Sequence, residues 1–186
     1  GVTAQAEIMS QLGRAEDAVA LLDAVFGTDL DPELAALHAA LSAGEALPFS
    51  HVRSARDGIA EVFYTLANAL SREGSDELTL LYARMAAYLR RDHTDAILLT
   101  GELLADMEQY SLAVQAYTDV PSDDLSYHAA VLGRAEALRA QDDLEAALEV
   151  LEAQIQVQAD LPILHTTKGD VLRQLQRFEE ATEAYT

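Results

Sequence analysis

Three stretches of this chain repeat one side-chain plan at intervals of 34 residues. They are TGELLADMEQYSLAVQAY (Thr100 to Tyr117), RAEALRAQDDLEAALEVL (Arg134 to Leu151) and KGDVLRQLQRFEEATEAY (Lys168 to Tyr185). Small residues recur at Gly101, Ala135 and Gly169, and alanines at Ala113, Ala147 and Ala181. Large residues recur at Tyr110, Leu144 and Phe178, and again at Tyr117, Leu151 and Tyr185. The polar positions drift. A period of this length limits the fold severely. Each unit presents an apolar face too small to bury alone, and only stacked neighbours make a continuous core.

Leu104, Leu138 and Leu172 follow the first small residue by three positions, on the same helical face. Each unit therefore reads as a helix, a short turn and a second helix packed antiparallel to the first. The turns are expected near Met107–Gln109, Gln141–Asp143 and Leu175–Arg177. A glycine inside a helix costs about 1 kcal/mol relative to alanine. Gly101 and Gly169 are therefore expected where another helix passes too close for a side chain.

These positions resemble the tetratricopeptide repeat (TPR), a helix–turn–helix whose sequence pattern uses the same small, aromatic and alanine sites. The resemblance covers Thr94–Thr186 and extends over Ala60–His93 through Ala67, Leu70 and Ala83, although Asp76 and Thr79 depart from it. It returns in QLGRAEDAVALLDAVFGTDLDP, with Gly13 in the turn, Ala18 as the close-packing alanine and Pro32 after the helix. Thr100, Arg134 and Lys168 stand where the family carries an aliphatic residue. The resemblance implies an all-α fold: a right-handed superhelix, or solenoid, of antiparallel helix-turn-helix repeats. SARDGIAEVFYTLANAL and LLYARMAAYLRRDHTDAILLTGELL are similar to long TPR proteins of alphaproteobacteria that have no assigned activity. One lysine against eleven arginines in an alanine-rich chain is compatible with a GC-rich bacterial source.

The expected organisation is a TPR-like hairpin plus an extra helix over 1–43, an irregular connection over 44–58, and an array of about four repeats over 59–186, the last truncated. In GEALPFSHVRSARDG, Gly44 to Gly58, Pro48 and two glycines disfavour a long helix. Phe49 and Val52 are expected to fill the gap there, the alternative being a hinge or docking loop. A leading Gly without Met, and an end inside an apparent helix, suggest a piece of a longer protein.

Composition narrows the partners. The formal charge is −20, with 32 acidic against 12 basic residues. Such a surface repels phosphate backbones and anionic lipid, so no nucleic acid is expected as a partner. No apolar run is long enough for membrane insertion, and the N-terminus has no secretory signal. Absent cysteine excludes disulfides, thiolate metal sites and a thiol nucleophile.

No catalytic constellation emerges. His38, His51, His93, His128 and His165 form no i, i+4 pair with a nearby Glu of the kind a helical zinc site needs. Packing or capping is the reading for His128 and His165, near the starts of first helices. The glycines are scattered rather than gathered in a phosphate loop, and there is no G-x-S-x-G elbow. Asp31, and Ser122 or Asp123, are candidate helix caps. Neither a catalytic residue, a metal ligand nor a cofactor site is assigned. Tyr110, Tyr117 and Tyr185 occupy packing positions; Tyr64 is expected on the inner surface.

In TPR proteins the first helices line a concave surface that holds an extended peptide or a helix. The resemblance carries that lining to Tyr64, Asn68 and Arg72, then Asp95, Leu98, Glu102 and Asp106, then Leu132, Glu136 and Arg139, and then Thr166, Asp170 and Arg173. Asn68, Glu102, Glu136 and Asp170 form one column spaced by 34. The column is either an ordinary solvated face, with Glu136–Arg139 and Asp170–Arg173 as i, i+3 pairs, or a groove for a neutral or basic segment. The basic cluster with which some TPR proteins hold a carboxylate-ended chaperone tail is missing.

The expected function is a non-catalytic protein-protein interaction scaffold. The alternatives are a self-assembly module or the recognition arm of a larger enzyme. Self-assembly would use a homodimer through the uncapped C-terminal hairpin, where Val171, Leu175, Ala181 and Tyr185 are expected to leave a face uncovered.

Overall fold

A computed structural model describes residues 1–27, 30–49 and 52–186; His51 lies outside them. Among the described residues there are eleven α-helices and no strand. They are α1 (Val2–Gln11), α2 (Ala15–Phe26), α3 (Pro32–Ser42), α4 (Ala55–Ser71), α5 (Asp76–Leu89), α6 (Thr94–Asp106), α7 (Tyr110–Thr118), α8 (Tyr127–Ala140), α9 (Leu144–Val157), α10 (Pro162–Gln174) and α11 (Phe178–Ala184). The chain forms two compact units, Gly1–Glu61 and Val62–Thr186.

In the first unit α1 and α2 form a hairpin around Ala6, Ala18 and Leu22, and Leu41 of α3 closes the same core. Asp31 caps α3 as expected, its carboxylate accepting from Leu34 N at 2.8 Å. The chain after α3 returns to α1: Leu47 N donates to Ser10 Oγ at 3.0 Å and Gln11 Nε2 to Leu47 O at 2.9 Å. Leu47 also packs on this core. Val52, expected as a plug, is instead exposed beside Gly58. Helix α4 begins at Ala55, inside the span expected to be irregular. Serine and aspartate explain the early start, since Asp57 accepts from Arg53 N and Ser54 Oγ, both at 2.9 Å.

The second unit is a helical-repeat solenoid. Each helix of the run α5 to α11 packs on the next, and α6, α8 and α10 also touch in sequence. The turns fall where the period puts them, and all close alike. Gln109 N, Asp143 N and Arg177 N reach back to the carbonyls of Leu104, Leu138 and Leu172 at 2.8, 3.0 and 2.9 Å. That six-to-one bond needs a left-handed residue, supplied by Glu108, Asp142 and Gln176 at φ 59°, 67° and 60°.

Gly101 is confined by something other than a neighbouring helix backbone. A Cβ there would lie 2.6 Å from the Tyr117 ring. Gly133 meets the same ring and Gly169 meets Tyr185. The aromatic side chain at the end of the second helix lies against the first helix, so the close approach belongs to a ring.

Two further expectations are corrected. Ser122 and Asp123 do not cap α8, because turns at Pro121–Asp124 and Asp124–Tyr127 delay its start. Asp124 is the engaged carboxylate, accepting from Ser126 N at 2.8 Å and Thr94 Oγ1 at 2.5 Å. At the C-terminus, Val171 and Ala181 are buried in the core shared by α8 to α11. The exposed apolar residues there are Ile163, Phe178 and Tyr185.

Candidate functional site

The first helices α4, α6, α8 and α10 carry the side chains that the resemblance assigned to a groove, except Arg72, which lies in the turn just after α4. On α6, Ile97, Gly101 and Leu104 go to the core, while Asp95, Glu102 and Asp106 are exposed. A helix cannot bury both sets, because they lie on different faces of its 3.6-residue turn. Helix α8 divides similarly: Ala135 and Leu138 are buried, Glu136 is exposed, and Leu132 and Arg139 are half-buried. On α10, Gly169 and Leu172 are buried, Thr166 and Arg173 exposed, and Asp170 half-buried. On α4, Tyr64 and Asn68 are half-buried; Arg72, in the turn that follows, is exposed.

The three acidic members of the spaced column, Glu102, Glu136 and Asp170, differ in electrostatic state. Glu136 is held by Arg139, whose Nε donates at 2.9 Å and whose terminal nitrogen also reaches the same oxygen. Asp170 lies 3.7 Å from Arg173 and accepts from Tyr185 Oη at 2.8 Å. That bond, first of all, raises the Tyr185 pKa, because the neutral phenol is the form that donates. Glu102 and its neighbours Asp95 and Asp106 have no ion pair or hydrogen bond from their side chains among the described residues. Their charge is felt at Tyr117, whose pKa is pushed up to about 12, by burial first and then by Glu102 and Asp106. The uncompensated negative charge of the face is therefore concentrated on α6.

Tyr64 is engaged by its neighbours. Its ring centroid lies 4.8 Å from that of His93 at an interplanar angle of 56°, and the His93 ring in turn accepts from Ala96 N at the start of α6. The other described histidines are tied locally. His128 Nδ1 is 3.0 Å from Leu125 O, His165 Nε2 2.8 Å from Ala159 O, and His38 Nε2 3.1 Å from Asp23. Among the described residues no group of three or more His, Asp or Glu is placed to hold a metal ion, and no helix is long and apolar enough to cross a membrane.

Two clefts of the second unit lie elsewhere. One, of about 170 Å³, is bounded by Arg84, Ile97, Thr100 and Gln115; another, of about 250 Å³, by Tyr117, Ser122, Tyr127 and Arg134. Thr100 and Arg134, which depart from the family pattern in the sequence, border these two clefts, a placement that the sequence did not indicate.

No known protein family's sequence profile matches the chain, and no curated protein matches it. Solved structures do. The chain shares its fold with MamA. A double mutant described as "MamA RS-1 ArsTM" aligns with a TM-score of 0.60 at 18% identity, covering 100% of this chain and 92% of that one. MamA from residue 41 to the end, from Desulfovibrio magneticus RS-1, gives 0.59 at 18%, with the same coverage. Another MamA crystal structure gives 0.61 at 12%, covering 96% of this chain and 88% of that chain. At such identities the likeness to MamA is one of fold: an all-helical repeat retained while most side chains differ.

Proposed function

We propose that this chain is a non-catalytic interaction scaffold that holds a peptide or helix of another protein along the first-helix face of the repeat array. The observation that carries the reading is the column Asn68, Glu102, Glu136, Asp170. It sets one polar residue per repeat outside the buried clusters of the core. Stacked helices with a regular exposed face suit an extended or helical segment, since both present side chains at a repeating rise. The uncompensated carboxylates on α6 favour a neutral or basic segment centred there.

The test is affinity capture with the full chain as bait, run in parallel with Glu102→Lys, Glu136→Lys and a control, Glu145→Lys, away from the face. A protein captured by wild type and control but lost in Glu102→Lys supports the groove. Glu136→Lys should weaken capture less, because Arg139 already neutralises Glu136. The same proteins retained by all four baits would exclude the face.

Self-association is the second reading, favoured by Ile163 on α10, Phe178 on α11 and Tyr185 just after it, which are 50%, 61% and 47% exposed. Light scattering over a concentration series decides it; a monomer throughout removes it.

A further inference from the structure

One pair of positions recurs where each second helix meets the first helix of the next repeat. It is Arg84 with Thr100 between α5 and α6, Thr118 with Arg134 between α7 and α8, and Glu152 with Lys168 between α9 and α10. In the last pair Lys168 Nζ lies 2.8 Å from Glu152 Oε1. One repeat earlier the cation is kept and the carboxylate is not. Thr118 stands in its place, its hydroxyl donating to Val114 O at 2.7 Å.

Arg134 is half-buried, and its Nε is shut off from solvent without an acceptor. Among the described residues it makes no ion pair. With 32 acidic residues in the chain, this is a matter of local placement rather than shortage. The side chain borders the cleft of about 250 Å³, whose other walls include Ser122, Tyr127, Val120 and Val131. Leu132 and Glu136 are each two positions from Arg134, roughly 200° around α8. The cleft therefore lies on the opposite side of that helix from the face proposed above.

We propose that this cleft is a binding site for a single aliphatic carboxylate, which sits beside Arg134 as Glu152 sits beside Lys168. The guanidinium offers a planar fork matched to a carboxylate. Ser122 adds a hydroxyl, and the two valines give an apolar wall for a short methylene stem. The net charge of −20 repels a dianion more than a monoanion, which selects carboxylate over phosphate. A free short-chain acid and a glutamate side chain from a partner share this chemistry.

The experiment is an amide-resolved NMR titration of the full chain with propionate and, separately, with N-acetylglutamate N-methylamide, at ionic strength held constant with NaCl. Saturable shifts confined to residues 118–122 and 130–134 are expected. Stronger binding of propionate identifies the free acid as the source, and stronger binding of the glutamate derivative identifies a protein side chain. Arg134→Gln should weaken binding roughly tenfold or more, the usual consequence of losing a charge-assisted hydrogen bond. Arg134→Lys, which keeps the charge without the fork, should fall between. Thr118→Glu rebuilds the Glu152–Lys168 pair one repeat earlier, and should abolish binding and raise Tm. Shifts that stay linear in concentration, or that are equal in wild type and Arg134→Gln, overturn the proposal. Tighter Arg134-dependent binding of inorganic phosphate under the same conditions also overturns it.

Discussion

Glu108, Asp142 and Gln176 are ordinary residues held at positive φ in equivalent turns. The left-handed region crowds Cβ against the following carbonyl, less so for Asp, whose side chain can bond locally. Gln176→Gly should therefore raise stability by about 0.5–1 kcal/mol, with a smaller gain for Asp142→Gly, both read from denaturant midpoints. The turns themselves were legible from the period, but this backbone state was not, because no glycine marks it. Tyr117 gives a second prediction. Its folded pKa of about 12 lies above the ordinary value of 10.0. The unfolded chain therefore loses this proton first, and the contribution is complete below pH 10 and lost as pH rises through 12. Stability should fall across that window, and tyrosinate absorbance should lose its late-ionising Tyr117 component in Tyr117→Phe. Glu102→Gln should move that group down only slightly, since burial is the larger cause.

Between helices, large and small residues exchange places from repeat to repeat. Tyr117 lies between Gly101 and Gly133. At the equivalent sites one repeat later, Leu151 goes with Ala135 and Thr167; one repeat earlier, Ala83 goes with Ala67 and Leu99. Ala67 and Ala83 are buried in one cluster with Leu99 packed against it, so the space is filled each time by a different division of volume. Gly101→Ala should destabilise by roughly 1–3 kcal/mol through overlap with the ring, partly offset by alanine's helix preference. In a Tyr117→Leu background the same change should cost markedly less, a coupling that a double-mutant cycle measures. Gly101 could be singled out from its place in the period. Gly133 could not, because the ring that requires it comes from the preceding repeat. Thr79 shows the same dependence on surroundings. It departs from the family pattern yet is buried, with its hydroxyl donating to Ser75 O at 2.8 Å.

Across the whole molecule the charge of −20 opposes compaction. Ion pairs such as Arg14–Asp17 and Arg177–Glu180 join exposed side chains three positions apart, where solvent screens most of their attraction. Raising NaCl from low ionic strength to roughly 0.5 M should therefore raise Tm, since screening relieves more repulsion than it removes attraction. A fall in Tm would mean that the pairs outweigh the net charge.

The sequence by itself determined the helices, the turns and the repeating small and large positions. Helical periodicity and turn closure act over a few residues, and a recurring apolar face has few ways to be buried other than on its neighbour. It also marked Thr100, Arg134 and Lys168 as unusual. Only the tertiary structure decided what those residues do. Thr100 returns its hydroxyl to Ala96 O at 2.7 Å, Lys168 meets Glu152, and Arg134 lines an open cleft together with Thr118. The state of a charge depends on atoms within a few ångströms, and here those atoms lie sixteen residues away in the chain, on the helix of the preceding repeat.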